Sequence, residues 1–154
     1  MYGHTYVILA TMASIQDDLR QCLYFSASAM ARVLDRSAKE QFGRFELSPT
    51  QGFILIAAKQ APGISVGDLA VLLVLDQTTV TKTLEKMELK GLIQREVFGR
   101  SVRVFLTTVG VRKEADATSA WKKVRSNYQQ LIGEGDVRAL CSGLFKAEEQ
   151  LTEG

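Results

Sequence analysis

Threonine hydroxyls and lysine ammonium groups recur along one short segment, and both groups bind the phosphates and base edges of nucleic acids. Residues 76–91 read Asp-Gln-Thr-Thr-Val-Thr-Lys-Thr-Leu-Glu-Lys-Met-Glu-Leu-Lys-Gly. Val80, Leu84 and Met87 form one apolar stripe at about 100° per residue, which predicts an amphipathic helix. Its polar face predicts a surface that reads duplex DNA, and the alternative is an ordinary solvated helix face.

Both ends of this helix carry local signals. Asp76 suits the N-cap, because its carboxylate can accept a hydrogen bond from the free N–H groups of the first turn. Gly91 suits the position after the helix, where a left-handed backbone is needed. Lys86 and Lys90 complement the negative end of the helix dipole. The helix is therefore predicted to lie between Asp76 and Gly91.

The segment before Asp76 predicts a second, shorter helix. Ser65 and Asp68 match a capping box at the start of the apolar run 66–75. This helix should end two or three residues before Asp76. Two helices joined by so short a turn form a helix-turn-helix.

The segment after Gly91 predicts a β-hairpin. Residues 92–98 and 102–108 are rich in β-branched and aromatic residues, and the second run alternates apolar with polar or aromatic positions. Phe98–Gly99–Arg100–Ser101 then forms a tight tip. An arginine there can reach a minor groove or a phosphate. The alternative is a solubilising arginine on an exposed edge strand.

Positive charge is concentrated in this region. The whole chain has a net charge of +2, whereas residues 76–112 contain seven basic and four acidic residues, a net charge of +3. A local basic surface of this kind is what specific binding to a duplex requires.

The segment 76–93 resembles the recognition helix of the MarR family, the multiple-antibiotic-resistance type of bacterial and archaeal regulators. Residues 47–53 (Leu-Ser-Pro-Thr-Gln-Gly-Phe) resemble the start of that family's second helix, and residues 106–110 (Leu-Thr-Thr-Val-Gly) its exit from the wing. The resemblance in helix order covers about residues 13–152. It implies a homodimeric winged-helix repressor or activator that binds a short pseudo-palindrome of double-stranded DNA.

The hairpin departs from that family's pattern. Wings of the family usually carry an Asp-x-Arg motif, whereas this hairpin, 97–103, is shorter and has no aspartate. Whether Arg100 or Arg103 acts at the tip, and what orients the wing, stays open. The helix face, the hairpin and the resemblance together predict a set of DNA-binding residues: Ser65, Gln77, Thr78, Thr79, Thr81, Lys82, Lys86, Arg95, Arg100 and Arg103.

Apolar seams outside the winged helix predict helices that pair with a second copy. One long helix is expected over 14–42, with the seam Ile15, Leu19, Cys22, Ser26, Ala29 and Val33. Another is expected from the Ser48 cap and Pro49 to about Lys59. Two more are expected within 109–152, separated at Gly133–Glu134–Gly135, with Asp136 capping the last.

The predicted fold is therefore mainly α with a small β-wing, in a single domain over 1–154. A winged helix-turn-helix at about 48–108 is flanked by dimerisation helices at 14–42 and 109–152. The alternative for these flanking helices is a bundle within one chain.

Two modes of regulation are consistent with the sequence. The family resemblance implies that a small amphipathic or aromatic effector binds between the dimer helices and the winged helix, with Tyr24, Phe25, Phe53 and Trp121 as candidate lining residues. The alternative for these aromatics is plain core. Cys22 and Cys141 offer thiol redox sensing instead, although both fall on apolar seams, where inert buried thiols are common.

Other classes of protein receive little support. The chain has one histidine, His4, in a terminal segment where neither a catalytic nor a metal-binding geometry is expected, and it has no phosphate-binding loop or nucleophile motif. We therefore expect no enzyme activity, no cofactor and no metal.

Length and composition give the remaining bounds. Two cysteines without a disulfide framework, and no apolar run of about 18 residues, indicate a cytoplasmic protein without a membrane span. The apolar run 6–10 lacks the basic residues of a signal peptide and is interpreted as an arm that packs on a partner. The main rival function is a winged-helix interaction module that has lost DNA binding.

Overall fold

The computed structural model describes the backbone of residues 3–153, together with the side chains of Ile8 and residues 11–153. This part of the chain forms seven helices and one three-stranded antiparallel sheet: α1 Gly3–Arg20, α2 Leu23–Gly43, α3 Pro49–Gln60, β1 Ile64–Ser65, α4 Val66–Leu73, α5 Gln77–Leu89, β2 Ile93–Phe98, β3 Ser101–Leu106, α6 Thr108–Ile132 and α7 Glu134–Thr152. The chain divides into two compact units, Met1–Ser37 and Ala38–Gly154. The predicted class, mainly α with a small β-wing, is confirmed.

The first unit corrects the prediction of one long helix over 14–42. The helix begins earlier, at Gly3, and is interrupted at Gln21 and Cys22. There the N–H of Gln21 donates to the carbonyl of Asp18 (3.2 Å), as in a tighter 3₁₀ turn. The Ser26 hydroxyl donates to the Arg20 carbonyl (2.8 Å), so a side chain replaces the backbone partner of that carbonyl. The side chains of His4 and of most of the expected arm at 6–10 lie outside the described residues.

The second unit is organised around α3, which confirms the prediction for 48–59. Ser48 is the N-cap, Pro49 occupies the first turn, and Gln51 completes a capping box by accepting from the Ser48 N–H (3.1 Å). Gly52 is required here, because a Cβ at that position would collide with the ring of Phe42. This contact brings the end of α2 directly against α3.

The apolar core of the second unit lies under the helix-turn-helix and the sheet. Its fully buried large side chains come from α2, α3, α4, α5, β2 and β3: Phe42, Ile54, Leu55, Leu69, Leu84, Met87, Ile93, Val80 and Val104. Burial of a side chain of this size stabilises a fold by about 1.5–3 kcal/mol. The core therefore fixes the inner face of α5 and leaves its opposite face outside.

The sheet has the order β1-β3-β2, so β2 is an edge strand. Ile93 pairs with Leu106 at the base of the β2–β3 hairpin and Phe98 pairs with Ser101 at its end, and Gly99 at the tip has φ +59°. The base is fixed where α6 begins, because the Thr107 hydroxyl caps α6 and also donates to the Gly91 carbonyl (2.6 Å). The short strand β1 was not predicted from the sequence.

The last two helices confirm the predicted interruption at Gly133 but correct the cap of α7. Gly133 has φ +99°, and α7 begins immediately at Glu134 without a side-chain cap, so Asp136 lies inside the helix. None of the nineteen residues of α7 is buried. Large apolar side chains on this helix are exposed, namely Leu140, Leu144, Phe145 and Leu151. Within residues 3–153, no helix is both long and apolar enough to cross a membrane.

Candidate nucleic-acid interface

The first turn of α5 is fixed by Asp76, as the sequence predicts. Its carboxylate accepts from the Thr79 N–H (2.7 Å) and from the Thr79 hydroxyl (2.6 Å). The hydroxyl of Thr79, followed by its backbone N–H, holds the pKa of Asp76 below its ordinary value. The Thr79 hydroxyl is thus committed to the cap, which weakens its candidacy as a DNA-binding group.

The outward face of α5 carries polar groups without partners. Thr78, Lys82 and Lys86 are exposed, and within the described chain no hydrogen bond or ion pair involves their side chains. Val80, Leu84 and Met87 on the inward face are fully buried. Because the core anchors one face so completely, the other face is presented to solvent on a rigid element.

The C-terminal end of α5 is also held in place. Gly91 adopts φ +67°, the left-handed conformation expected after a helix end. The Lys90 ammonium donates to the Glu46 carbonyl (3.2 Å), which lies in the turn after α2. Lys90 therefore links the C-terminal end of α5 to the turn after α2, within the second unit.

A groove with a volume of about 410 Å³ lies between α5, the start of α4 and the β2–β3 hairpin, which is the wing of this chain. Five of the ten predicted DNA-binding residues line it: Ser65, Gln77, Thr81, Arg95 and Arg100. Sequence reasoning missed its other lining residues, Val66, Gly67, Ser101 and Val102. Strand pairing places Ser101 and Val102 beside the hairpin tip. The predicted hairpin could therefore have indicated these two as neighbours of Arg100.

Two of the five predicted residues that line the groove have structural partners. Ser65 caps α4, since its hydroxyl accepts from the Asp68 N–H (3.0 Å) and donates to the Asp68 carboxylate (2.7 Å). Arg95 binds the Glu88 carboxylate of α5 through its guanidinium (2.7 Å). The unpartnered groove residue with a positive charge is Arg100, at the exposed tip of the hairpin.

Arg103 lies away from this groove. It alternates along β3 with Val102 and Val104, so it projects from the opposite face of the hairpin from Val102, which lines the groove. Its guanidinium stacks over the ring of Phe98 (5.6 Å to the centroid) and donates to the Gly63 carbonyl (3.4 Å). These contacts favour Arg100 over Arg103 as the cation of the tip.

The candidate effector residues divide between the two units. Phe53 packs edge-on against Phe42 (5.5 Å between ring centroids) and against Trp121 (6.2 Å). Within the first unit, Tyr24 is 81% exposed and Phe25 is half-buried. The structure therefore brings Phe53 and Trp121 together, in contact with the core.

Cys22 and Cys141 are both free and exposed, so the expectation of buried thiols is wrong for this chain on its own. The apolar seams that carry them are themselves exposed, since the large apolar side chains described on α1, at the start of α2 and on α7 are mostly exposed. Among the described residues, no cluster of three or more His, Cys, Asp or Glu side chains is suited to hold a metal ion.

Comparison with known proteins gives a family match for the winged region. Residues 47–97 match the model of the MarR family. The chain is also 32% identical over 66 residues to an uncharacterized HTH-type transcriptional regulator, YybA, of Bacillus subtilis. That match covers 43% of this chain and 44% of the relative, so the chain spans less than half the length of this curated relative.

Solved structures show the same fold over most of the chain. The transcriptional regulator MosR of M. tuberculosis has a TM-score of 0.74 at 24% identity, covering 84% of this chain and 97% of that one. MepR of S. aureus, solved in complex with DNA, has a TM-score of 0.73 at 23% identity, with 84% and 98% covered. CouR of Rhodococcus jostii RHA1, solved with p-coumaroyl-CoA, has a TM-score of 0.71 at 20% identity, with 82% and 91% covered.

Proposed function

We propose that the chain is a MarR-type transcriptional regulator that binds specific sequences of duplex DNA; the match of residues 47–97 to the MarR family model supports this. One observation carries the proposal: the exposed polar face of α5 lies beside a groove that ends at Arg100. Helix and wing are thus arranged so that one duplex can contact both.

In this proposal α5 is the helix that reads DNA, called the reading helix, and it enters the major groove. Thr78 and Lys82 contact base edges or phosphates there, because they are exposed and have no partner within the described chain. Arg100 contacts the neighbouring minor groove or its phosphates, where a narrow groove attracts arginine. Thr79 and Arg103 have structural partners and act indirectly.

The proposed active form is a homodimer. The exposed apolar side chains of α7, among them Leu144, Phe145 and Leu151, support this, because several large apolar side chains exposed on one helix favour association. A two-fold axis places two reading helices in successive major grooves about 34 Å apart, so the operator is an inverted repeat. We propose a cytoplasmic location for the regulator, together with the DNA on which it acts.

A small amphipathic or aromatic effector is the proposed regulator. The half-buried aromatic pair Phe53 and Trp121 supports this chemistry, and CouR was solved with p-coumaroyl-CoA. The effector changes DNA binding only as far as it prefers one spacing of the two reading helices.

The test begins by selecting bound sequences from a random duplex library with purified protein. We expect enrichment of an inverted repeat with half-sites one helical turn apart. On that duplex, Lys82→Ala should weaken binding and reduce the log–log salt slope by about 0.9 per lost phosphate contact. Lys123→Ala, an exposed lysine of α6, is the matched control and should change neither.

The rival function is a protein-interaction module without DNA binding. Folded, dimeric protein that enriches no sequence at low and at moderate salt would favour this module and contradict the proposal. An unchanged slope for Lys82→Ala on an enriched duplex would remove Lys82 alone from the interface.

A further inference from the structure

We propose that Glu88 is a positioning residue for the wing: by holding Arg95, it fixes the angle at which Arg100 reaches DNA. This inference rests on the proposed function and assigns a residue of the reading helix to a second task. The observations are three hydrogen bonds, the edge position of β2 and the free tip of the hairpin.

The Glu88 carboxylate accepts three hydrogen bonds from Arg95. One oxygen accepts from the backbone N–H (3.1 Å), and the other accepts from Nε (3.0 Å) and from a terminal guanidinium nitrogen (2.7 Å). The two side chains are 39% and 26% exposed, so the pair is partly shielded from water. Two donors of the planar guanidinium converge on one carboxylate oxygen while the backbone N–H donates to the other, so the contact fixes direction as well as distance.

The contact holds the backbone of the wing and not only a side chain. Because β2 is the edge strand of the sheet, an N–H that points away from β3 has no strand partner. Glu88 satisfies that N–H at Arg95. Within residues 3–153, the Glu88 carboxylate is the acceptor of every side-chain hydrogen bond that joins α5 to β2.

The position of Arg95 gives the contact leverage over the tip. Phe98 lies three residue steps along the extended strand from Arg95, or roughly 10 Å at 3.3 Å per residue. A tilt of about 10° at Arg95 would therefore displace the tip by roughly 2 Å, which is enough to break a hydrogen bond. The hairpin itself contains no aspartate that could serve as a brace.

The ion pair between Glu88 and Arg95 also determines which arginine is free to contact DNA. The guanidinium of Arg95 is occupied by Glu88, whereas Arg100 is exposed and has no partner in the described chain. Arg95 therefore supports the wing, and Arg100 makes its contact. Loss of Glu88 should act through Arg100 and through no contact of its own.

The experiment compares two duplexes built on the selected operator. The long duplex includes the flanking base pairs that the wings reach, and the short duplex ends after the two major-groove half-sites. For wild-type protein, the ratio of the two affinities measures the contribution of the wing. Binding is followed by fluorescence anisotropy with the whole 154-residue chain, and thermal unfolding confirms that each variant is folded.

Glu88→Gln should lower the affinity for the long duplex by about tenfold, as loss of a well-placed arginine contact does, and leave the short duplex nearly unchanged. Arg100→Ala should produce the same pattern. The double variant should be no worse than Arg100→Ala alone, because both changes remove one contact. Glu85→Gln, the same change at an exposed position of α5, is the matched control and should leave the ratio unchanged.

Equal losses on both duplexes for Glu88→Gln would show a merely structural role and overturn the inference, as would losses that add to those of Arg100→Ala. Arg95→Lys replaces Glu88→Gln if that variant does not fold, and it should lower the same ratio because lysine lacks the planar guanidinium. A wild-type protein that binds both duplexes equally rejects the inference alone. A wild-type protein that binds neither rejects the proposed function and the inference with it.

Discussion

Helices α5 and α7 are both amphipathic in sequence, but they bury their apolar faces to very different extents. α5 buries Val80, Leu84 and Met87 completely, whereas α7 buries none of its residues and leaves Leu144 and Phe145 more than half exposed. An amphipathic helix owes most of its stability to the packing of its apolar face. The comparison teaches that α5 is held by the core of its own chain, whereas the apolar face of α7 is left for the proposed dimer to cover.

The largest effect should come from truncating the same residue type on each helix. Leu84→Ala should lower the free energy of unfolding by about 2–5 kcal/mol, because it opens a cavity in a closed core. Leu144→Ala should act through association instead and weaken the proposed dimer. Urea unfolding at several protein concentrations separates the two: the loss for Leu84→Ala is constant, and that for Leu144→Ala shrinks with dilution.

Equal and concentration-independent losses for both variants would break the comparison, since they would mean that α7 packs within one chain. The isosteric changes Leu84→Met and Leu144→Met, which preserve most of the side-chain volume, serve as controls and should each cost less than about 1.5 kcal/mol.

The region of α3 to the wing could be predicted because its signals are local. Ser48 and Asp76 cap helices, and Gly91 ends one, through contacts within three or four residues. The break at Gln21 and Cys22 could not be predicted, because neither glycine nor proline marks it and hydrogen bonds from nearby side and main chains create it. Local chemistry predicts helix ends better than interruptions.

The candidate site was predictable in composition but not in the division of roles. The sequence marks Arg95, Arg100 and Arg103 alike as basic residues of the hairpin. Their partners depend on the tertiary approach of Glu88 to the wing and on the strand register that places Phe98 near Arg103. Periodicity gives the face of a residue, and only the fold gives its neighbour.

A smaller effect is expected in the turn between α4 and α5. Val74 adopts φ +52° and ψ +49°, a left-handed conformation that is strained for a β-branched residue, and it is 62% exposed. Val74→Gly should therefore raise the free energy of unfolding by about 1 kcal/mol, the relief of strain less the added chain entropy.

This prediction sharpens the comparison because the strain lies in the unit held by its own core. The stabilisation should appear in urea unfolding at every protein concentration, with the dimer dissociation constant unchanged. Val71→Gly, an equally small change at an exposed position inside α4, is the control and should destabilise instead, because glycine disfavours a helix interior. Destabilisation by both variants would contradict the assignment of strain to Val74.

The smallest effect concerns acid, and it again concerns α5. Asp76 and Glu88 lie at its two ends, and hydrogen bonds from Thr79 and from Arg95, respectively, hold the pKa of each carboxyl below its ordinary value. A lowered pKa in the folded state contributes stability at pH values above the unfolded pKa, and that stability is lost as the pH falls through the folded pKa. Asp76→Asn keeps a capping side chain but removes the titration. Between pH 7 and pH 3, the melting temperature of the Asp76→Asn variant should therefore fall less than that of the wild type. An identical fall would show that protonation of Asp76 does not affect the stability of the reading helix.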